Sequence, residues 1–84
     1  MAKALKTAFK TGAEINEWRR THRMIQSEFW GPLGVTQSGG SRYESGRNIP
    51  APTQILLTLA YGTDKEADAV LAALRTWKSP KRGA

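Results

Sequence analysis

Cysteine is absent from this 84-residue sequence, and histidine occurs once, as His22. The lack of cysteine excludes disulfide bonds and cysteine-ligated zinc, and His22 has no second imidazole with which to form a metal site. Apolar runs are short, and none approaches the roughly 20 residues that a membrane-spanning helix requires. We therefore expect no metal, no other cofactor and no membrane span.

Side-chain arrangements and loops typical of enzyme active sites are also scarce. A Ser-His-Asp arrangement would depend on His22 alone. Gly39-Gly40 is no phosphate-binding loop, because it lies within a helical register and no Lys-Ser or Lys-Thr follows it. We expect no catalytic residue, and the sequence disfavours an enzyme.

Acidic residues are few as well: 7 Asp and Glu stand against 13 Lys and Arg, for a net charge of +6 and a pI near 10.2. A chain this short holds one domain with a small core. Its charge suits a polyanion such as nucleic acid, although an anionic membrane surface would also attract it. Residues 1–10 are basic and amphipathic but lack the apolar core of a secretory signal, so we expect a soluble protein of the cytoplasm.

Helix signals recur along the chain, whereas no segment is typical of a strand. Thr11 with Glu14, and Thr63 with Glu66, form capping-box pairs that predict the start of a helix. We predict an all-α fold, a compact five-helix bundle. The first three helices span residues 12–21, 26–33 and 37–45. The fourth has Pro52 in its first turn and stops at Gly62, and the fifth runs from Thr63 to about Trp77. The domain comprises residues 11–78, with a basic arm at 1–10 and a basic tail at 79–84.

The apolar pattern predicts which side chains are buried. In the arm, Leu5 and Phe9 are the only large apolar residues, and we expect a frayed tail with one docked aromatic. In the fourth helix we expect four buried residues, Ile55, Leu56, Leu59 and Ala60. The fifth helix carries an apolar stripe that serves either as core or as an interface, formed by Ala67, Val70, Leu71, Leu74 and Trp77.

The most informative segment is residues 26–50, which predicts two short helices joined by a tight turn at Gly34. Thr36 can cap the second helix through its side-chain oxygen, and Gly46 can end it in a left-handed conformation. The exposed positions between them carry side chains that hydrogen-bond base edges or phosphates, namely Gln37, Ser38, Ser41 and Arg42. A short polar helix after such a turn is the layout of a DNA-reading helix-turn-helix.

The order L-G-V-T-Q-S-x-x-S-R-Y-E-S-G-R-x-x-P, over residues 33–50, resembles the Xre/Cro-type helix-turn-helix family. That family includes the lambda-repressor-like regulators of phages and bacteria, and the resemblance covers roughly residues 13–61. It implies a bundle of four or five helices that binds double-stranded DNA, usually as a dimer. The helix after Thr36 would lie in the major groove.

The resemblance also implies which residues contact DNA. Gln37, Ser38 and Arg42 fall where family members touch bases, and Gln26 falls where they grip a phosphate. Further contacts are expected from the cap, from the exposed face of the second helix and from the loop that follows it. The complete predicted set is Gln26, Thr36, Gln37, Ser38, Ser41, Arg42, Ser45, Arg47 and Asn48.

Three features bear on the stability of the motif. Arg19 and Glu44 match positions that form a buried ion pair in the family. The chain departs from the family at Trp30, where a small residue is usual, and at Gly40, where a branched aliphatic is usual. Because these positions face each other across the turn, we expect the indole to fill the space that Gly40 leaves. Pro32 also departs, and it strains the last turn of its helix.

Together these features predict a sequence-specific transcriptional regulator that binds double-stranded DNA. We expect a repressor that occupies a pseudo-palindromic operator as a homodimer. The alternative is a DNA-binding antitoxin or adaptor that also binds a partner protein. In that case residues 1–10, or the fifth helix with its tail, would carry the partner site.

Overall fold

Five α-helices make up most of the part of the chain that the structure describes, residues 7–76 of a computed structural model. No strand occurs within those residues, which confirms the predicted all-α fold. In chain order the helices are α1 (Gly12–Thr21), α2 (Gln26–Trp30), α3 (Gln37–Glu44), α4 (Ala51–Tyr61) and α5 (Asp64–Leu74), and a 3-10 turn (Gly31–Leu33) follows α2.

Threonine side chains begin three of the helices, as predicted. The Oγ1 atoms of Thr11, Thr36 and Thr63 each accept a backbone N–H three residues later, at 3.0–3.2 Å. At α5 the capping box is complete, because Glu66 accepts the Thr63 backbone N–H at 2.9 Å. At α1 the predicted box is only half formed. Glu14 instead accepts the backbone N–H of Lys10, one residue before the cap, at 2.7 Å.

The predicted helix over residues 26–33 is α-helical only as far as Trp30. Pro32 has no N–H to donate to the carbonyl four residues earlier, so the chain continues as a tighter 3-10 turn. Gly34 ends that turn with φ 77°, and Gly46 follows α3 with φ 117°. Both glycines therefore hold left-handed backbone that other residues rarely adopt, and Gly46 does so as predicted.

A left-handed residue that was not predicted from the sequence follows α1. Arg23 has φ 56°, and its N–H donates to the Arg20 carbonyl at 3.0 Å. The Met24 N–H donates to the Arg19 carbonyl at 3.0 Å. These two bonds form a Schellman motif with arginine at the position where glycine is usual. The chain is thereby turned sharply from α1 into α2.

The core is an aromatic cluster centred on α2. Phe29 is fully buried, and its ring stacks on Tyr61 with centroids 4.2 Å apart. Phe9 meets Trp18 edge to face at 6.1 Å and Phe29 at 6.5 Å. Phe9 is 6% exposed, so it is the docked aromatic expected in the N-terminal segment. Residues just before α1 therefore pack against the bundle.

The buried face of helix α4 differs in part from the one predicted. Of the four predicted residues, Ile55 and Leu59 are half-buried, whereas Leu56 is 43% exposed and Ala60 is exposed. The fully buried residues are Leu57 and Thr58. The difference follows from two polar contacts outside the apolar pattern. Thr58 Oγ1 accepts the backbone N–H of Ala8 at 2.9 Å, and the Tyr61 hydroxyl donates to the Phe29 carbonyl. These bonds point positions 58 and 61 inward.

Helix α5 packs mainly on α4. Val70 is its one fully buried apolar side chain within the described residues, and Leu71 and Leu74 are 44% and 45% exposed. The predicted stripe is therefore only partly core. Trp77, at the end of that stripe, lies outside the described residues, as does Leu5.

Candidate nucleic-acid interface

Helix α3 carries the polar face that the sequence predicted. Thr36 caps the first turn of α3, and the side chains of Gln37, Ser38 and Arg42 are exposed along the helix. Ser41 is half-buried on the same face. These α3 side chains line one shallow depression together with Gln26 from the start of α2; the lining residues are Gln26, Gln37, Ser38, Ser41 and Arg42. The fold thus brings five of the nine predicted residues together.

A second depression continues this surface beyond α3. Arg42 lines both, and Arg47 and Asn48 line the second from the loop before α4. Both loop side chains are exposed. Within residues 7–76 the single ion pair joins Arg19 to Glu44, so the guanidinium groups of Arg42 and Arg47 have no carboxylate partner there. The surface therefore presents unpaired positive charge next to hydrogen-bonding amides.

The hydroxyls of Thr36 and Ser45, two of the predicted residues, each bond to the backbone of α3. The Thr36 hydroxyl oxygen accepts the Gly39 N–H at 3.0 Å, which makes Thr36 a cap. The Ser45 hydroxyl donates to the Ser41 carbonyl at 2.9 Å, one turn back along α3. Both side chains are exposed, but neither lines the two depressions.

The buried carboxylate of Glu44 ties α3 to α1, as predicted. Arg19 donates from Nε to Oε2 at 3.0 Å and from Nη2 to Oε1 at 2.9 Å, a bidentate pair. The side chains of Arg19 and Glu44 are only 12% and 3% exposed. Arg19 also donates from Nη1 to the Met24 carbonyl at 2.9 Å, which anchors the turn before α2. The predicted ion pair is confirmed.

Three further donors to Glu44 were not foreseen from the sequence. Trp30 Nε1 donates to Oε2 at 2.8 Å, and Asn16 Nδ2 donates to Oε1 at 2.8 Å. Gln26 Nε2 makes a longer bond to Oε1, at 3.4 Å. The carboxylate thus joins side chains of α1, α2 and α3. Asn16 lies three residues before Arg19, so it shares the α1 face that meets α3, and this spacing is the signal that could have revealed it.

Burial alone would raise the pKa of Glu44, but its hydrogen bonds act in the opposite direction and prevail. The donors, led by Arg19 and followed by Trp30, Asn16 and Gln26, lower the pKa from 4.5 to about 2. Glu44 is therefore ionised at neutral pH. Its charge is compensated by Arg19 inside the protein.

Trp30 fills the space beside Gly40, as predicted. Both residues are buried, and a Cβ atom built on Gly40 would lie 2.6 Å from the indole Nε1 and nearer still to two ring carbons. No side chain larger than hydrogen fits at position 40 while the indole is in place. The indole consequently packs directly against the backbone of α3. This contact and the Glu44 bond hold α3 at a set distance from α2.

Two short helices joined at a left-handed glycine, the second with its polar face outward, define a helix-turn-helix DNA-binding domain. Residues 16–60, more than half of the chain, match the family described as the RsaL-like HTH domain. The chain belongs to that family, which is a helix-turn-helix family of the Xre/lambda-repressor type. Comparisons with curated proteins and with solved structures give no significant match.

The family membership confirms the resemblance and the helix-turn-helix fold, and it supports a DNA-binding regulator. Domains of this kind are typically not enzymes. None of the helices within residues 7–76 is long and apolar enough to cross a membrane.

Proposed function

We propose that the protein is a sequence-specific regulator of transcription that represses by occupying an operator in double-stranded DNA. One observation carries this proposal. The exposed face of α3 and the start of α2 converge on one depression, which continues without any acidic lining residue to Arg47 and Asn48. An α-helix fits the major groove of B-DNA, where amide and guanidinium groups discriminate between base pairs.

Within this surface we assign some residues to base edges and others to the sugar-phosphate backbone of DNA. Gln37 is exposed at the first position of α3 and is suited to bidentate pairing with adenine. Arg42 is suited to guanine or to an adjacent phosphate, and Ser38 and Ser41 supply short hydroxyl contacts. The remaining members of the predicted set, Gln26, Thr36, Ser45, Arg47 and Asn48, border this face and are assigned to the sugar-phosphate backbone.

The regulator acts as a homodimer on a pseudo-palindromic site. Three leucines of the α4–α5 pair, Leu56, Leu71 and Leu74, are each more than two-fifths exposed, which is support for a surface covered by a second copy. A two-fold dimer places its recognition helices about 34 Å apart, one turn of DNA. The expected location, the cytoplasm, follows from action on DNA.

Selection of bound fragments from random duplex DNA at a fixed salt concentration tests the specific function. We expect enrichment of a site with inverted repeats whose centres are about one helical turn apart. Placed over a promoter, that site should reduce transcription in vitro when the protein is added. The absence of any enriched sequence would contradict sequence-specific binding, and increased transcription would contradict repression.

The dimer is tested separately, by the stoichiometry of the complex on the enriched site. Two protomers per duplex are expected at saturation. A single protomer protecting one half-site would contradict the dimer and would direct attention to a different protein as the partner of α5.

A further inference from the structure

A third depression adjoins the two that border α3. It shares Arg47 and Asn48 with the second depression and extends from there to the residues just before α1 and to α4. Its full lining is Lys10, Thr11, Gly12, Gly46, Arg47, Asn48, Ile49 and Gln54. The three depressions therefore form one continuous surface, in which Arg42 links the first to the second and Arg47 and Asn48 link the second to the third.

The lining of the third depression is rich in donors. Its residues include Lys10, Arg47 and Gln54, whose side chains end in an ammonium, a guanidinium and an amide, and no Asp or Glu is among them. Glu14, the nearest acid in sequence, lines a separate depression together with Glu17, and its Oε1 atom accepts the Lys10 backbone N–H at 2.7 Å. Lys10 is exposed, and within residues 7–76 its ammonium forms no ion pair. These groups suit an anion with several oxygen acceptors.

A close backbone contact brings the start of α1 next to the loop after α3, and both segments line the third depression. Gly12 is buried at the first position of α1, directly against the last residues of α3. A Cβ atom built on Gly12 would lie 2.8 Å from the Tyr43 carbonyl carbon and 2.9 Å from Glu44 Cα. Because Gly12 has no side chain, Lys10 comes to lie beside the loop that follows α3.

We infer that this groove, here called the Lys10 groove, binds the DNA sugar-phosphate backbone next to the segment contacted by Arg47. Lys10 is the charged contact and Gln54 a neutral donor to a phosphate oxygen. The assignment rests on the DNA-binding function proposed above. It extends the contact surface from the helix-turn-helix itself to the residues before α1 and to the first turns of α4.

The salt dependence of binding separates a phosphate contact from a structural effect. Each neutralised phosphate contributes about −0.9 to the slope of log affinity against log salt concentration for B-DNA. Lys10→Ala should make the slope shallower by about that amount, so that a fourfold rise in salt weakens the variant about threefold less than the wild type. Gln54→Ala should weaken binding without changing the slope.

Lys65→Ala is the matched control, since Lys65 is an exposed lysine of α5 that lines none of the three depressions. Folding of Lys10→Ala should be unchanged, because only the backbone N–H of Lys10 bonds to Glu14. A thermal melt checks this. Equal salt slopes for Lys10→Ala and Lys65→Ala would overturn the assignment.

Neutral methylphosphonate linkages, placed one at a time along the duplex, locate the contact. At one position the substitution should weaken the wild type and leave Lys10→Ala unaffected. If no such position exists and calorimetry shows inorganic phosphate binding that Lys10→Ala abolishes, the groove is a free-anion site and the DNA assignment is wrong. If Arg47→Ala and Gln37→Ala weaken binding as expected while Lys10→Ala matches its control, only the Lys10 groove fails. A wild type that binds no DNA would overturn the proposed function as well.

Discussion

The α1–α3 unit and the α4–α5 pair bury their side chains in different ways. In α1–α3 a buried carboxylate accepts hydrogen bonds from four side chains, and an indole packs against a glycine. In α4–α5 the two helices pack on each other, α4 also joins the core through Leu57, Thr58 and Tyr61, and three leucines are 43–45% exposed. The first unit is held together by a buried polar network. The second is tied to the core by two hydrogen bonds of α4 and leaves three leucines exposed.

This difference has a physical basis in how each contact depends on geometry. A buried charge is stable only with its hydrogen bonds in place, so Glu44 favours a single packing of α1, α2 and α3. Apolar contacts between leucines are non-directional and tolerate alternatives. We therefore expect the DNA-reading face to be rigid before DNA binds, while the α4–α5 surface adapts to a second copy.

The largest expected effects are at Trp30 and Gly40. Trp30→Ala opens a cavity and should lower the free energy of unfolding by about 3–5 kcal/mol. Gly40→Ile alone forces a branched side chain into the indole and should cost about 1–3 kcal/mol or more. The double variant should recover part of the loss, but not all, because it lacks the indole N–H that donates to Glu44.

Urea unfolding of both single variants and the double variant measures the coupling between the two residues. Contacting residues couple by about 0.5–3 kcal/mol, whereas independent residues give additive effects. Strict additivity would contradict direct packing between Trp30 and Gly40.

A pH titration tests the Glu44 network. The pKa of Glu44 falls from 4.5 to about 2 on folding, so its stabilising contribution is fully present above pH 4.5 and is lost as the pH falls towards 2. The free energy of unfolding should decrease by about 3 kcal/mol over that interval. Other carboxylates also titrate there, so Glu44→Gln is the control. The same loss of stability with falling pH in Glu44→Gln as in the wild type would exclude Glu44 as its source.

DNA binding by alanine variants distinguishes base contacts of α3 from a phosphate contact of the loop after it. Gln37→Ala and Arg42→Ala should each cost about 1–3 kcal/mol on the selected site and much less on random DNA. Arg47→Ala should weaken both DNAs alike and reduce the salt slope by about 1. Binding constants for operator and random duplexes at several salt concentrations measure both effects. An unchanged ratio for Gln37→Ala and Arg42→Ala together would show that α3 does not read the bases.

Substitutions of the exposed leucines test whether the α4–α5 pair forms the dimer contact. Leu74→Ala should lower the free energy of unfolding of the isolated protomer by only about 1 kcal/mol, because the side chain is half exposed before the change. It should nevertheless reduce the cooperative binding of two protomers to the selected site. Low-concentration melts and DNA titrations separate these quantities. Unchanged cooperativity in a Leu71→Ala, Leu74→Ala double variant would place the dimer contact elsewhere.

The smallest expected effect is at the start of α2. Ile25 occupies the cap position and is 61% exposed, while Glu28 accepts the Ile25 N–H at 3.0 Å. Ile25→Thr would add the missing side-chain acceptor and complete the capping box, which should stabilise the protein by about 0.5–1 kcal/mol. Because little of Ile25 is packed, the loss of its apolar contacts is small. A lower melting temperature would show that those contacts outweigh the cap.

Features set by neighbouring residues were predicted well from the sequence. The Thr36 cap, the left-handed Gly46 and the first and last residues of α1 depend on chain segments of three or four residues, where local chemistry decides. The buried face of α4 was predicted poorly. It depends on Ala8 and Phe29, which are distant in sequence from Thr58 and Tyr61. The left-handed Arg23 was missed because arginine carries no local signal for that conformation.

The sequence by itself determined the number of helices and where each begins, the turn at Gly34 and the polar residues of α3, because caps, turns and hydrophobic spacing act over a few residues. It also indicated the Arg19–Glu44 pair and the Trp30–Gly40 contact, through resemblance to a family. Only the tertiary structure decided that Trp30 and Asn16 donate to Glu44 and that Lys10 lies beside the loop after α3. These contacts join segments far apart in the chain, and their geometry follows from how the helices pack, which no local pattern encodes.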